Sequence, residues 1–161
     1  MQRAYKTNIN HRGFTMIEVV MVLIVLAVLT PFVLSRFTTS NVEVIAQVDV
    51  LKSHLRYAQI KAMNDTVTWG IALTNSTTYT FFKTGVTPPP PSNLPGDTSY
   101  THTLTNNVTI TSSVTSVTFN EWGSPVDGSG TPLTANVTVT LTPSQGSASN
   151  ITITKNTGFI P

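Results

Sequence analysis

From Phe14 to Leu34 the chain is apolar and carries a single charge, Glu18. No other stretch of the 161 residues restricts the fold so tightly. A run of this length reads as a helix able to cross a bilayer, for which about 20 apolar residues suffice. A carboxylate inside such a run costs roughly 2.5–3.5 kcal/mol even on lenient insertion scales, so it asks for a partner. The nearest cation that processing can create is a new amine on Phe14, released if the chain is cut after Gly13. An ordinary secretory signal has a shorter apolar core, about 7–15 residues, with its cut behind the core. A plain signal anchor accounts for the length and leaves Glu18 without a role.

Gly13, Phe14 and Glu18 as the fifth residue after the glycine stand in one register, behind a short leader carrying Arg3, Lys6 and Arg12. This pattern resembles the class III signal sequence of type IV prepilins and of the pseudopilins of type II secretion. The resemblance implies cleavage between Gly13 and Phe14 by a prepilin peptidase and N-methylation of Phe14. It implies that Glu18 is an assembly contact, pairing with the Phe14 amine of the same or a neighbouring subunit. It also names the expected partners: the peptidase, other pilins or pseudopilins, and the inner-membrane assembly platform with its ATPase. Glycine suits the cut because the missing Cβ lets the backbone approach a peptidase closely.

Charge sets the orientation. The leader carries three cations and no acid, which keeps it on the cytoplasmic side and puts the C-terminal domain in the periplasm. The expected protein is a single-pass inner-membrane subunit that later enters a pilus or pseudopilus. Removing Arg3, Lys6 and Arg12 with the leader takes the formal net charge from +2 to −1. The basic balance of the whole chain is therefore no argument for nucleic acid.

The expected domains are a leader over 1–13, a transmembrane and polymerisation helix over 14–35, and a periplasmic α+β domain over 36–161. Val44, Val48, Leu51, Leu55, Ala58 and Ala62 recur at steps of four and three, which keeps one apolar stripe on a helix. One long helix is expected from Phe14 to Met63, its first half in lipid and its second half amphipathic. Pro31 is a fault in it, since proline lacks an amide donor and kinks or breaks a helix. The relatives' proline lies slightly further on, where this chain has Ser35.

Beyond Asn64-Asp65 the period becomes two. Val67, Trp69, Ile71 and Leu73 alternate with smaller or polar residues, as a half-buried strand does. Asn75-Ser76 turns the chain into a return strand at Tyr79–Phe82. Further strands are expected over 104–111, 114–119, 135–142 and 151–155. The prolines at 88–91, up to Gly96, read as an exposed loop that cannot join a ladder. The fold class is thus α+β: a long N-terminal helix packed on an antiparallel β-sheet, which is also the pilin fold that the resemblance implies.

The downstream half is similar to one branch of that superfamily: the minor pseudopilin H of type II secretion, the FimT minor pilins and the MshC-like minor pilins of mannose-sensitive haemagglutinin (MSHA) pili. The residues that carry this are Leu55-Arg56-Tyr57-Ala58-Gln59, Ala62-Met63-Asn64 and Trp69-Gly70-Ile71. Val117-Thr118-Phe119-Asn120 through Trp122-Gly123 to Pro125, and the ending Ile151-Thr152-Ile153 with Thr157-Gly158, extend it. With no cysteine in the chain, the disulfide-closed loop of many major pilins is impossible, which favours a minor subunit. The resemblance implies a minor, MSHA-like type IV pilin, a structural subunit in pilus biogenesis. The alternatives are an H-type minor pseudopilin and a tip adhesin.

Enzyme chemistry is not expected, and no catalytic residue is assigned. Charged residues are only 10% of the chain, low for a soluble enzyme. Glu43, Asp49, Asp65, Asp97, Glu121 and Asp127 contain no obvious catalytic pair, and no phosphate-cradling loop or nucleophile elbow is present. His11, His54 and His102 are scattered with no ligand spacing of three or four residues, so no metal and no cofactor are expected. DNA binding needs clustered cations. Gly158-Phe159-Ile160-Pro161 holds none, and Lys155 is the only one nearby.

Overall fold

The structure is a computed structural model that describes residues 13–34, 40–87, 90–104 and 107–161. The chain divides between residues 37 and 38 into two units.

The first unit contains α1, Met16–Leu34. Its helical backbone continues past Pro31. Its side chains are described to Thr30, and all of those are exposed. Thr30 Oγ1 donates to the Leu26 carbonyl at 2.5 Å. Among the described residues no helix is long and apolar enough to cross a membrane. The expected single helix from Phe14 to Met63 runs through residues 35–39, which lie outside the described residues, as does the leader up to residue 12.

The second unit opens with α2, Ser40–Met63. The expected stripe is its buried face: Val44, Val48, Leu51, Leu55, Ala58 and Ala62 are each at most 6% exposed. The stripe packs on strands β1 (Trp69–Asn75), β5 (Ser116–Phe119), β7 (Val137–Pro143) and β8 (Ser149–Ile153). The other strands are β2 (Thr78–Lys83), β3 (Thr101–Thr103), β4 (Val108–Ser112) and β6 (Pro125–Val126). Every pairing is antiparallel.

One sheet was the expectation, and there are two. Five strands lie in the order β3-β2-β1-β5-β6, and three in the order β4-β7-β8. The chain passes between the sheets three times, from β3 to β4, from β4 to β5 and from β6 to β7, and the shortest passage is the one through Val114 and Thr115. The Thr115 carbonyl accepts from the Leu73 amide at 3.1 Å, and the Thr138 carbonyl accepts from the Ser113 amide at 3.0 Å. Alternation reports which face of a strand is buried, and says nothing about which sheet it joins.

Six expected strands correspond to β1, β2, β4, β5, β7 and β8, with ends shifted by a few residues. β3 and β6 were not foreseen, being too short for a period to register. Pro125 is tolerated in β6 because that strand is a sheet edge, where no ladder bond from its nitrogen is needed. The described part of the proline-rich loop, from Pro90 to Gly96, joins no strand.

Gly70 allows β1 and β5 to approach. A Cβ there would meet Thr118 Cα at 2.9 Å and Val117 O closer still.

Candidate functional site

At the amino end, Gly13, Phe14 and Thr15 precede the helix and line, with Glu18, a shallow cleft of about 340 Å³. Thr15 is the N-cap of α1. Its carbonyl accepts from the amides of Glu18 at 3.0 Å and Val19 at 3.3 Å, and its Oγ1 stands 3.4 Å from the Glu18 amide. Thr15 and Glu18 have the Thr-x-x-Glu spacing of a capping box. A carboxylate in the first turn also faces the positive end of the helix dipole. Glu18 therefore has a local reason to be acidic that the sequence reasoning missed, although the Thr15-to-Glu18 spacing announced it.

Phe14 is 82% exposed and Glu18 is exposed. A Cβ on Gly13 would meet nothing within 4 Å, so nothing in the folded unit demands glycine there.

In the second unit, three of the residues behind the branch resemblance, Gln59, Gly123 and Gly158, meet on α2. Gln59 Nε2 donates to the carbonyls of Gly123 at 2.8 Å and Gly158 at 3.0 Å, clamping two loops to the helix. Gly158 has φ +62°, and a Cβ on it would press on Gly123 O, so glycine is required on both counts. Arg56 Nη2 donates to the Ile160 carbonyl at 3.1 Å. Ile60, Met63, Trp122 and Phe159 remain exposed.

Asp65 joins β1 and β2 to the end of α2. Lys83 Nζ lies 2.6 Å from its Oδ2, and Trp69 Nε1 donates to the same oxygen at 3.0 Å. The Lys83 and Trp69 hydrogen bonds hold its carboxyl down at about 2, so Asp65 is a standing anion and a poor general base.

The third cluster lies where the 92–100 loop crosses α2. It was invisible to spacing arguments. His54 projects from α2 and is 1% exposed. His102 lies on β3, directly opposite Tyr79 on β2, and stacks on it with ring centroids 5.0 Å apart. Asp97 Oδ2 is 2.8 Å from His102 Nδ1 and 4.0 Å from His54 Nε2. His54 Nε2 donates to the Pro95 carbonyl at 2.9 Å, and its Nδ1 faces Tyr79 Oη at 2.8 Å. His102 Nε2 stands 3.2 Å from Gln47 Oε1.

Burial, which disfavours the imidazolium, lowers the pKa of His54. Burial, with Asp97 nearby, pushes the Tyr79 hydroxyl up. The expectation of scattered histidines holds along the chain and fails in space, because strand pairing and helix docking carry His54 and His102 to one place. His11 lies outside the described residues.

Residues 8–30 match the family model described as the Prokaryotic N-terminal methylation motif. Searched by sequence, no curated protein matches. Among solved structures, the fold is similar to the type IV minor pilin FimU of Pseudomonas aeruginosa. The TM-score is 0.58 at 16% identity, over 76% of this chain and 90% of that one. A second crystal form of FimU gives 0.54, covering 72% and 89%. The minor pseudopilin EpsH from the Type 2 Secretion System of Vibrio cholerae gives 0.54 at 12% identity, covering 74% and 94%.

Proposed function

We propose, from the premise that its methylation motif and pilin-like fold support a place in the type IV pilin and pseudopilin superfamily, that this chain is a minor structural subunit of an envelope filament and not an enzyme. The carrying observation is the coincidence of the methylation motif over residues 8–30 with a pilin-like fold downstream. In the finer reading it is an MSHA-like minor pilin with the expected three domains. It is anchored in the inner membrane by the run from Phe14 onward and cut by prepilin peptidase between Gly13 and Phe14. Phe14 is then N-methylated, and the chain is handed to the assembly platform and the other pilins.

The open space around Gly13 supports this reading. A glycine that its own fold does not need is explained by a requirement of the peptidase. Glu18 keeps its assembly role beside its capping role. Cutting after Gly13 creates a cation next to the cleft that Glu18 lines, and an apolar surround strengthens such a pair.

The likeness to EpsH supports the H-type pseudopilin as a second reading. For the tip adhesin there is less: Tyr79, Phe81 and Phe119 on the five-stranded sheet are fully buried, and the exposed aromatics Trp122 and Phe159 lie on loops rather than on a sheet face.

Cleavage and filament incorporation, scored side by side, test the proposal. Gly13→Leu should leave full-length precursor in the membrane. Glu18→Ala should be cut nearly as well as wild type and enter filaments poorly. Mature protein beginning elsewhere than at methylated Phe14, by intact mass, would sink the processing scheme. Normal incorporation of Glu18→Ala would remove the assembly contact. Loss of pili against loss of secretion in a deletion strain separates the two filament readings.

A further inference from the structure

We propose that His54, Asp97 and His102 form a binding site for a borderline transition-metal dication, with Zn²⁺ the reference ion. The inference does not depend on the pilin reading.

Three donors of the preferred types, two imidazoles and one carboxylate, offer atoms that all lie within 4.8 Å of one another. Zinc bound at about 2.0–2.2 Å to nitrogen and oxygen sets neighbouring ligands of a tetrahedron about 3.4 Å apart. The two separations to Asp97 Oδ2, 2.8 Å from His102 and 4.0 Å from His54, bracket that value. The third separation, between the two imidazoles, lies within 4.8 Å, so both rings and the carboxylate can close onto one ion by local side-chain adjustment. The carbonyl of Pro95, 2.9 Å from His54 Nε2, or a water supplies a fourth position.

The outer partners are already those of a metal site. A ligating imidazole holds its second nitrogen on a fixed hydrogen-bond partner, which sets tautomer and ring orientation. For His54 that partner is Tyr79 Oη on Nδ1, and for His102 it is Gln47 Oε1 on Nε2. Each can accept a hydrogen bond from the facing N–H, so binding needs only the neutral tautomer whose proton sits on that outer nitrogen and leaves the inner one free for the ion. No bond is made or broken beyond the metal–ligand bonds. What the ion displaces is the His54 hydrogen bond to Pro95 and the His102 hydrogen bond to Asp97.

Access comes from the loop side, where the Asp97 side chain is 27% exposed and that of His102 13%, while His54 closes the floor at 1%. A bare hydrogen-bonded latch accounts for the same distances, and the experiment separates the two.

The untagged full-length chain, purified in detergent and stripped with chelator, is titrated with ZnCl₂ by calorimetry and with Co²⁺ by visible absorption. The expected result is one equivalent of Zn²⁺ bound and a Co²⁺ spectrum of tetrahedral intensity. The thermal midpoint should rise with free Zn²⁺ by mass action. Asp97→Asn and His102→Gln should abolish binding, Gln47→Ala should weaken it about tenfold, and His11→Ala should leave it unchanged. Circular dichroism checks the fold of each variant. If the ligand variants unfold, the wild-type Co²⁺ spectrum and Zn²⁺-dependent midpoint decide the matter. No Zn²⁺ binding by wild type, or equal binding by folded Asp97→Asn and His102→Gln, overturns the proposal.

Discussion

The two helices answer the same question, where to put apolar side chains, in opposite ways. On α1 every described side chain is exposed, including Val19, Leu23, Leu26 and Leu29 at roughly half their area. Around α2 the apolar residues are sorted. Val44, Val48, Leu51, Leu55, Ala58 and Ala62 go under, while Val42, Ile45, Ile60 and Met63 stay out. A helix that is apolar all round needs an apolar environment, either lipid or other helices. A striped helix needs only one covering surface, and the two sheets provide it. Stability of the second unit should therefore be written in its own residues, and the apolar content of α1 should be spent on contacts outside the chain.

The largest effect that tests this contrast is a matched pair of truncations. Leu55 is 1% exposed and Leu23 is 59% exposed. Leu55→Ala should lower unfolding stability by about 2–5 kcal/mol, the range for buried leucines. Leu23→Ala should leave the same unfolding transition where it was. Thermal or denaturant unfolding of the full chain in detergent measures both. Equal losses would mean that α1 contributes to the core of the second unit.

A smaller loss is expected at the clamp. Removing the Gln59 amide leaves two carbonyls of buried glycines, Gly123 and Gly158, to find other partners. Gln59→Ala should cost about 1–3 kcal/mol. It should also raise amide exchange in the 120–125 and 155–161 segments before any other. Uniform loosening of the whole unit would argue that Gln59 is a packing residue rather than a clamp.

The smallest effect is electrostatic and has a defined pH window. The folded-state pKa of Asp65 is held at about 2, below its ordinary 3.8. Its contribution is thus complete above about pH 4 and is lost as pH falls through about 2. The midpoint difference between wild type and Asp65→Asn should be present at neutral pH and close over that window. A difference that persists unchanged at the acid end would assign the effect to the shape of the side chain instead of its charge.

Much of the fold was legible along the chain because helices and strands are local. The 3.6 period of Val44 to Ala62 named the buried face of α2, and the alternation Val137-Val139-Leu141 named that of β7, whose three residues are at most 2% exposed. Legibility failed where an element was too short to show a period, as with Thr101–Thr103 and Pro125–Val126. It failed again where the decision was about pairing rather than burial, as in the split into two sheets. The amino-terminal candidates were readable for the same local reason: Gly13, Phe14 and Glu18 belong to one short register. Even there the reading was incomplete, since it asked who neutralises Glu18 and overlooked Thr15 three residues earlier.

By itself the sequence determined the apolar run and its single acid, the stripe on α2, the positions of the longer strands along the chain and the amino-terminal motif. Each of these is a matter of residues within a few positions of one another. Only the tertiary structure decided that Gln59 reaches two distant loops, and that His54, Asp97 and His102 meet under a third. Those contacts depend on how β3 registers with β2 and on the rotation at which α2 docks on the sheets. Many side chains share in setting that geometry, and no short stretch of sequence encodes it.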